Sequence, residues 1–256
     1  MKIQYCSDLH LEFQSNTNWL KSNPIKPIGE ILLIAGDTYY LGKEFTKHKF
    51  FDFVSENFKT VFLIPGNHEF YGGYDAKLCL QENYELQIRE NVFLVNNTSK
   101  EIDGVKFIFS SLWSRIVNQV GPILGSLNDF RLINLNNQKL TINGFNSMFG
   151  KSWEYILKEI TAKSEKEKVV ITHHLPSNYC NLEIFKNSKL NEAFCTDLTE
   201  YINKSDVKYW VYGHSHGNKE QFKIGKTKMV TNQLGYLDAG EEKGFKNDAC
   251  FELNYE

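Results

Sequence analysis

Five short apolar runs, each ending in side chains able to bind metal ions, constrain this chain more than any other feature. Ile3 to Cys6 runs into SDLH, Ile31 to Ala35 into GDT, and Val61 to Ile64 into PGNHE. Val169 to Thr172 runs into HHLP and Tyr209 to Tyr212 into GHSH. Runs of this length, bounded by Gly and polar residues, read as buried strands. Of the 7 histidines, only His48 lies away from a strand end. Loops at the carboxyl edge of a sheet converge on one crevice from distant positions in the chain.

The segments between these runs predict helices, and hence α/β layering. In EFTKHKFFDFVSENF, Phe50, Phe51, Val54 and Phe58 share one helical face and are expected in the core. Further helices are expected over Asp75 to Arg89, near Met148 to Lys163, and near Glu192 to Asn203. Asp103-Gly104 inside EIDGVKFIFSSL signals a tight hairpin, and Gly225 to Lys228 a second turn, so the sheets should not be purely parallel. At 256 residues and 41% hydrophobic, the chain can bury roughly three quarters of its unfolded surface. With no linker composition and no internal repeat, residues 1–256 are expected to form a single domain.

Charge and cysteine usage narrow the function classes. A formal net charge of -2 gives no bulk basic field for nucleic acid or anionic lipid, and a small, locally charged substrate fits better. Cys6, Cys79, Cys180, Cys195 and Cys250 are odd in number and scattered, against a disulfide framework or a thiolate metal site. No apolar run approaches the roughly 18 residues needed to span a bilayer, so no membrane partner is expected. The cytoplasm is the expected compartment.

Asp8 and His10, like His214 and His216, are two apart, so in extended backbone each pair would share a face, with Leu9 and Ser215 pointing away. Gly36, Gly66 and Gly213 sit beside the candidate ligands, where backbone must turn or approach closely. The motifs DLH, GD, GNHE, H and GHSH, in this order and spacing, resemble the calcineurin-like metallophosphoesterase superfamily over Asp8 to His216. That resemblance implies an α/β (α+β) fold, a four-layer αββα sandwich of two mixed β-sheets flanked by helices. The metal site would lie at the carboxyl ends of the strands, and the tail would complete a sheet.

Carried over position by position, the resemblance puts Asp8, His10, Asp37 and His216 on one divalent ion, and Asp37, Asn67, His173 and His214 on another. Asp37 would bridge the two, since a carboxylate can give one oxygen to each. Nitrogen and oxygen ligands without thiolate suit Mn, Fe, Zn, Co or Ni. Two such ions, offset by Asp8, Asp37 and a bridging hydroxide, leave a net of about one positive charge, which would attract an anionic ester. The implied reaction is hydrolysis of phosphate mono- or diesters by that hydroxide, with His68 as the catalytic acid that protonates the leaving alkoxide.

Several neighbours carry two readings each. His174 would contact substrate or orient its neighbour, Asn178 would line the pocket or shape a turn, and Arg131 would contact phosphate or be a surface or core-bridging arginine. Glu69 is expected to anchor its loop, His48 to be simply exposed, and Tyr40 to pack or wall the pocket. Phe70, Tyr71, Tyr74 and Trp113 would stack a base or, the favoured reading, pack as a cap. GDTYYLG lacks the Asp-Arg-Gly of the superfamily's protein phosphatases. Cyclic nucleotide phosphodiesterase and dinucleotide polyphosphate hydrolase are alternative activities. A non-catalytic metal-binding scaffold is the alternative of another class. The motifs do not specify the oligomeric state.

Overall fold

Strands apolar at every position need cover on both faces, which a layered arrangement provides. The computed structural model describes residues 1–253. The chain begins with β1 (Lys2–Cys6), α1 (Gln14–Ser22), β2 (Ile31–Ile34), α2 (Lys49–Asn57) and β3 (Thr60–Leu63). It continues through β4 (Tyr84–Arg89), β5 (Val92–Asn96), β6 (Thr98–Ile102), β7 (Val105–Phe109), α3 (Val120–Ser126) and α4 (Asp129–Leu132). A two-stranded ribbon of β8 (Asn134–Leu135) and β9 (Gln138–Lys139) leads into α5 (Ile142–Thr161). The last elements are β10 (Glu167–Ile171), α6 (Thr199–Lys204), β11 (Val207–Val211), β12 (Phe222–Ile224), β13 (Thr227–Val230) and β14 (Cys250–Glu252).

The two six-stranded sheets share one plan. Their orders are β14-β1-β2-β3-β5-β4 and β12-β13-β11-β10-β7-β6. In each, the four central strands are parallel and both edge strands are antiparallel. Ile31, Leu33 and Phe62 of one sheet and Phe107, Phe109 and Ile171 of the other form one buried layer between them. Phe62 and Phe109 meet there with ring centroids 4.9 Å apart. The alternate residues Leu32, Ile34 and Leu63 join Phe51 and Val54 of α2 in the outer apolar cluster, as do Val170 and Trp210 with Met148 and Ile156 of α5. The result is the expected sandwich of two mixed sheets flanked by helices, with β14 from the tail pairing to β1.

Some predicted elements differ. Asp75 to Arg89 is a three-ten turn (Ala76–Leu80) followed by β4, not one helix. Its polar residues suit a helix, but Leu86 and Ile88 alternate with Glu85 and Gln87, a period of two that an edge strand exploits. Helix α5 starts well before Met148, because Thr141 caps it by accepting a hydrogen bond from Gly144 N. Glu192 to Asn203 is broken, since Leu175 N bonds Phe194 O and Thr196 N bonds Leu175 O, drawing the segment straight alongside the HHLP loop. His48 is half-buried rather than simply exposed, and its ring caps α2 by accepting from Phe50 N. The hairpin turn carries positive φ at both Asp103 (44°) and Gly104 (73°), which keeps the twist of its strands matched. All five cysteines are free thiols.

Candidate metal centre

The parallel strands of both sheets deliver their carboxyl ends to one rim. β1 delivers Asp8 and His10, β2 delivers Asp37, β3 delivers Asn67 and His68, β10 delivers His173 and His174, and β11 delivers His214 and His216. Bonds across the rim tie the sheets together: His214 N donates to Asp8 Oδ1 at 3.0 Å, and Ser111 Oγ to Pro65 O at 2.5 Å. The ligand loops are not extended. Asp8, His10, Asp37, His214 and His216 all have φ between 46° and 75°, a left-handed backbone that non-glycine residues rarely adopt. Each such residue costs about 1–3 kcal/mol, and clusters of them mark functional sites.

This backbone gathers the expected ligands into two groups that share one carboxylate. Asp8, His10, Asp37 and His216 offer ligand atoms within 4.8 Å of one another, and so do Asp37, His173 and His214. Asn67 Oδ1 lies 3.2 Å from His173 Nε2. The tautomers follow from the partners. His173 Nδ1 is 2.7 Å from Ala35 O, His10 Nδ1 is 3.1 Å from Glu12 Oε1, and His216 Nδ1 is 2.6 Å from Glu241 Oε2. Because these oxygens accept, each Nδ1 carries the proton and each Nε2 turns a lone pair inward. His10 Nε2 and His216 Nε2 then face each other at 3.0 Å, with Asp37 Oδ2 3.7 Å from the first and Asp8 Oδ1 3.5 Å from the second. Lone pairs converging like this in a buried space need a cation among them, so the donor set fits divalent metal.

Electrostatics couple these groups tightly. Burial alone would push the Asp37 carboxyl up, but His173 and His68 beside it hold it well below the usual range. Burial would lower His173, yet Asp37 raises it to about 10, so a binding ion would have to displace a proton from its Nε2. Burial and the neighbouring His174 and His173 rings keep His214 well below normal, so it remains a neutral donor.

A second set of side chains holds the first. Glu12, with its side chain only 3% exposed, bridges His10 and His68, its Oε1 lying 2.8 Å from His68 Nδ1. Asp129 accepts from Tyr71 OH and from Asn67 Nδ2, which turns the Asn67 amide oxygen toward His173. Glu69 accepts from the backbone N–H groups of Gly66, Asp37 and Thr38, lacing the loops after β2 and β3 together. Burial and the nearby Asp37 push Glu69 up to about 8. The sequence reading missed Glu12, Asp129, Tyr236 and Glu241. Glu12 continues the two-residue spacing of Asp8 and His10, a usable signal, whereas Glu241 carries no local one.

His68 Nε2 is 2.8 Å from Tyr236 OH, and its backbone N–H donates to Asp37 Oδ1. Burial would lower its pKa, but Asp37 and Glu12 raise it, favouring the protonated ring. His68, Asp37, Asn67, His214 and His216 line a cavity of about 350 Å³. The three residues expected at the substrate do not line it. His174 is fully buried, its ring 4.1 Å from that of His214 and 5.1 Å from that of Trp113, with both nitrogens unpartnered. Exposed Asn178 donates to Asp197, and the exposed Arg131 guanidinium donates to Gly125 O. Asp129, two residues before Arg131, is the group of that segment that reaches the site.

Gly66 marks how little room remains. A Cβ there would stand 2.2 Å from Asp37 Oδ1 and 2.6 Å from His173 Nε2. Gly66→Ala is expected to weaken metal affinity by at least about 10–100-fold, the range for disturbing groups that orient ligands. Chelator competition would measure this, with circular dichroism reporting that the fold is kept. Unchanged affinity would mean that the two ligands can move aside.

Paired mixed sheets whose strand ends gather Asp, His and Asn around buried cation sites define a metallophosphoesterase. The profile of the family described as calcineurin-like phosphoesterase matches residues 1–218, and the chain belongs to that family, a metal-dependent phosphoesterase. It is similar to the uncharacterized protein L509 of Acanthamoeba polyphaga mimivirus, with 32% identity over 260 aligned residues and 91% of each chain covered. It also superposes on the crystal structure of phosphopantetheinyl hydrolase (PptH) from Mycobacterium tuberculosis, with a TM-score of 0.68 over 95% of this chain and 92% of that one. At 13% identity, this second likeness is one of fold.

Proposed function

We propose that the protein hydrolyses phosphate mono- or diesters at a dinuclear centre, with His68 as the proton donor. The observation that carries this reading is the position of Asp37 in both ligand groups, since one carboxylate shared between two sets of donors suits a bridged pair of ions. Asp8, His10, Asp37 and His216 would hold one ion, and Asp37, Asn67, His173 and His214 the other. Bound there, two divalent ions supply Lewis acidity and lower the pKa of coordinated water. Mn, Fe, Zn, Co and Ni all suit the donors.

The chain's own residues do the remaining work. Glu12 fixes the His68 ring through Nδ1, which leaves Nε2 to hold a proton toward the cavity, where Tyr236 OH now sits. A leaving oxygen in the position of that hydroxyl would take the proton from Nε2. The free cysteines fit a cytoplasmic setting, and among the described residues no helix is long and apolar enough to cross a membrane. The pairing of β14 with β1 supports one domain over residues 1–256.

Metal removal tests the dinuclear reading. After chelation and dialysis, titration with Mn is expected to saturate at two ions per chain by elemental analysis. Melting temperature should rise with free metal, because an ion that binds only the native state stabilises it by mass action. Activity on aryl phosphate esters should return along the same curve. Saturation at one ion would overturn the bridged pair. Two ions without turnover of any ester would favour the non-catalytic scaffold.

A further inference from the structure

The cavity above the metal ligands is unusual for what it lacks. Among the described residues, none of the chain's 29 lysines and arginines lines it. Arginine and lysine are the side chains that recognise phosphate groups beyond those a metal can hold. Lys189, between the lining Ser188 and Leu190, is exposed and does not itself line the cavity, and other cations on nearby segments have partners of their own. Lys219 Nζ donates to Tyr179 O and Asn181 O, Lys186 pairs with Glu183, and Arg131 binds Gly125 O.

The charged groups that do line the space, apart from the ligands and His68, are carboxylates. Asp129 accepts from Tyr71 and Asn67, and Glu241 from His216 and from Tyr236 N. Both add negative charge around the site, so an anion would be drawn in only by the bound ions and by His68. A second phosphate inside the cavity would meet no lysine or arginine and would face carboxylates instead.

The walls are apolar and neutral polar. Leu127 stands on the segment after α3, and Phe185, Leu190 and Phe194 on the loop after β10. Ser126 and Asn128 are exposed at the cavity with no side-chain hydrogen bond of their own, which leaves them free for a neutral polar group. At about 350 Å³ the space is at the small end of ligand pockets, which run to about 300–1,000 Å³.

Resting on the phosphoesterase reading above, we infer that the substrate carries a single phosphate group esterified to uncharged, partly apolar substituents. Polyphosphates, dinucleotide polyphosphates and nucleic acid strands are selected against. The phosphoryl group sits at the metal ligands, and its neutral arm lies between Leu127 and the Phe185–Phe194 wall.

The test uses the Mn-loaded full chain. kcat/KM is compared for bis(p-nitrophenyl) phosphate, p-nitrophenyl phosphate, ATP and diadenosine tetraphosphate. The single-phosphate esters are expected to exceed the polyphosphates by at least about 100-fold, the discrimination that about 2.7 kcal/mol provides. Binding gives a readout independent of turnover: calorimetry should show tighter binding of phenyl methylphosphonate than of the methylene-bridged analogue of ATP. Ser126→Arg, which places a cation at the wall, should narrow the gap about tenfold or more by improving polyphosphate turnover. Polyphosphates handled as well as single-phosphate esters, in turnover or in binding, would overturn the substrate class while leaving the phosphoesterase reading intact. Absence of turnover for every ester, with two ions bound, would instead overturn that reading and this inference together.

Discussion

Asp37→Asn is expected to abolish ester hydrolysis and to reduce bound metal from two ions per chain to one or none. The substitution preserves shape, and its amide oxygen can still accept from His68 N as Asp37 Oδ1 does. What changes is the other arm, where an NH₂ group replaces Oδ2 and points toward His10 in place of a lone pair. An amide offers one oxygen and carries no charge, so it cannot serve two cations at once. The affinity loss should exceed the roughly 10–100-fold that follows removal of a group merely orienting a ligand. Elemental analysis beside chelator competition would read both quantities. A variant that kept two ions at native affinity would remove Asp37 from the bridging position and, with it, the main support for a coupled pair.

His68→Asn should behave differently, and the contrast is the point of the experiment. His68 is in neither Asp37-containing ligand group, so both ions should remain bound, while kcat falls by about 10²–10⁴-fold, the usual contribution of a positioned general acid. The loss should depend on the leaving group. An alkyl ester needs its departing oxygen protonated, whereas p-nitrophenolate leaves readily as an anion, so the variant should lose far less on the nitrophenyl ester. Glu12 would lose one of its two histidine partners but keep its contact with His10. Equal losses on both substrates would make His68 a structural residue.

The strand ends were legible because parallel strands are read twice in the sequence: as an apolar run, and as the polar residues that must follow it at the rim. Ile31 to Ile34 and Val207 to Val211, buried at nearly every position, could hardly be anything else. The edge strand β4 was not legible as a strand, because its polar alternate face and its Leu and Gln residues match helix preferences equally well, and only pairing with β5 decides. The groups that hold the ligands divide in the same way. Glu12 lies on the rhythm of its own motif, while Tyr236 and Glu241 reach His68 and His216 only because the chain returns to the rim after β13. Asp129 was overlooked in favour of Arg131, since a cation near a phosphate site draws attention that a buried carboxylate holding an amide does not.

The left-handed ligand loops have a consequence for how the centre selects its ions. Protein contacts brace their unfavourable backbone angles: Asp8 N to Gly36 O, His10 N to Asp37 O, and His214 N to the Asp8 carboxylate. The last of these bonds links the ligand loops of the two sheets directly, so part of the ordering that the ligands need comes from assembly of the sheets themselves. Calcium, which takes about six to eight oxygens, would find few of them among donors so rich in imidazole, so a taste for nitrogen is expected to decide among competing ions.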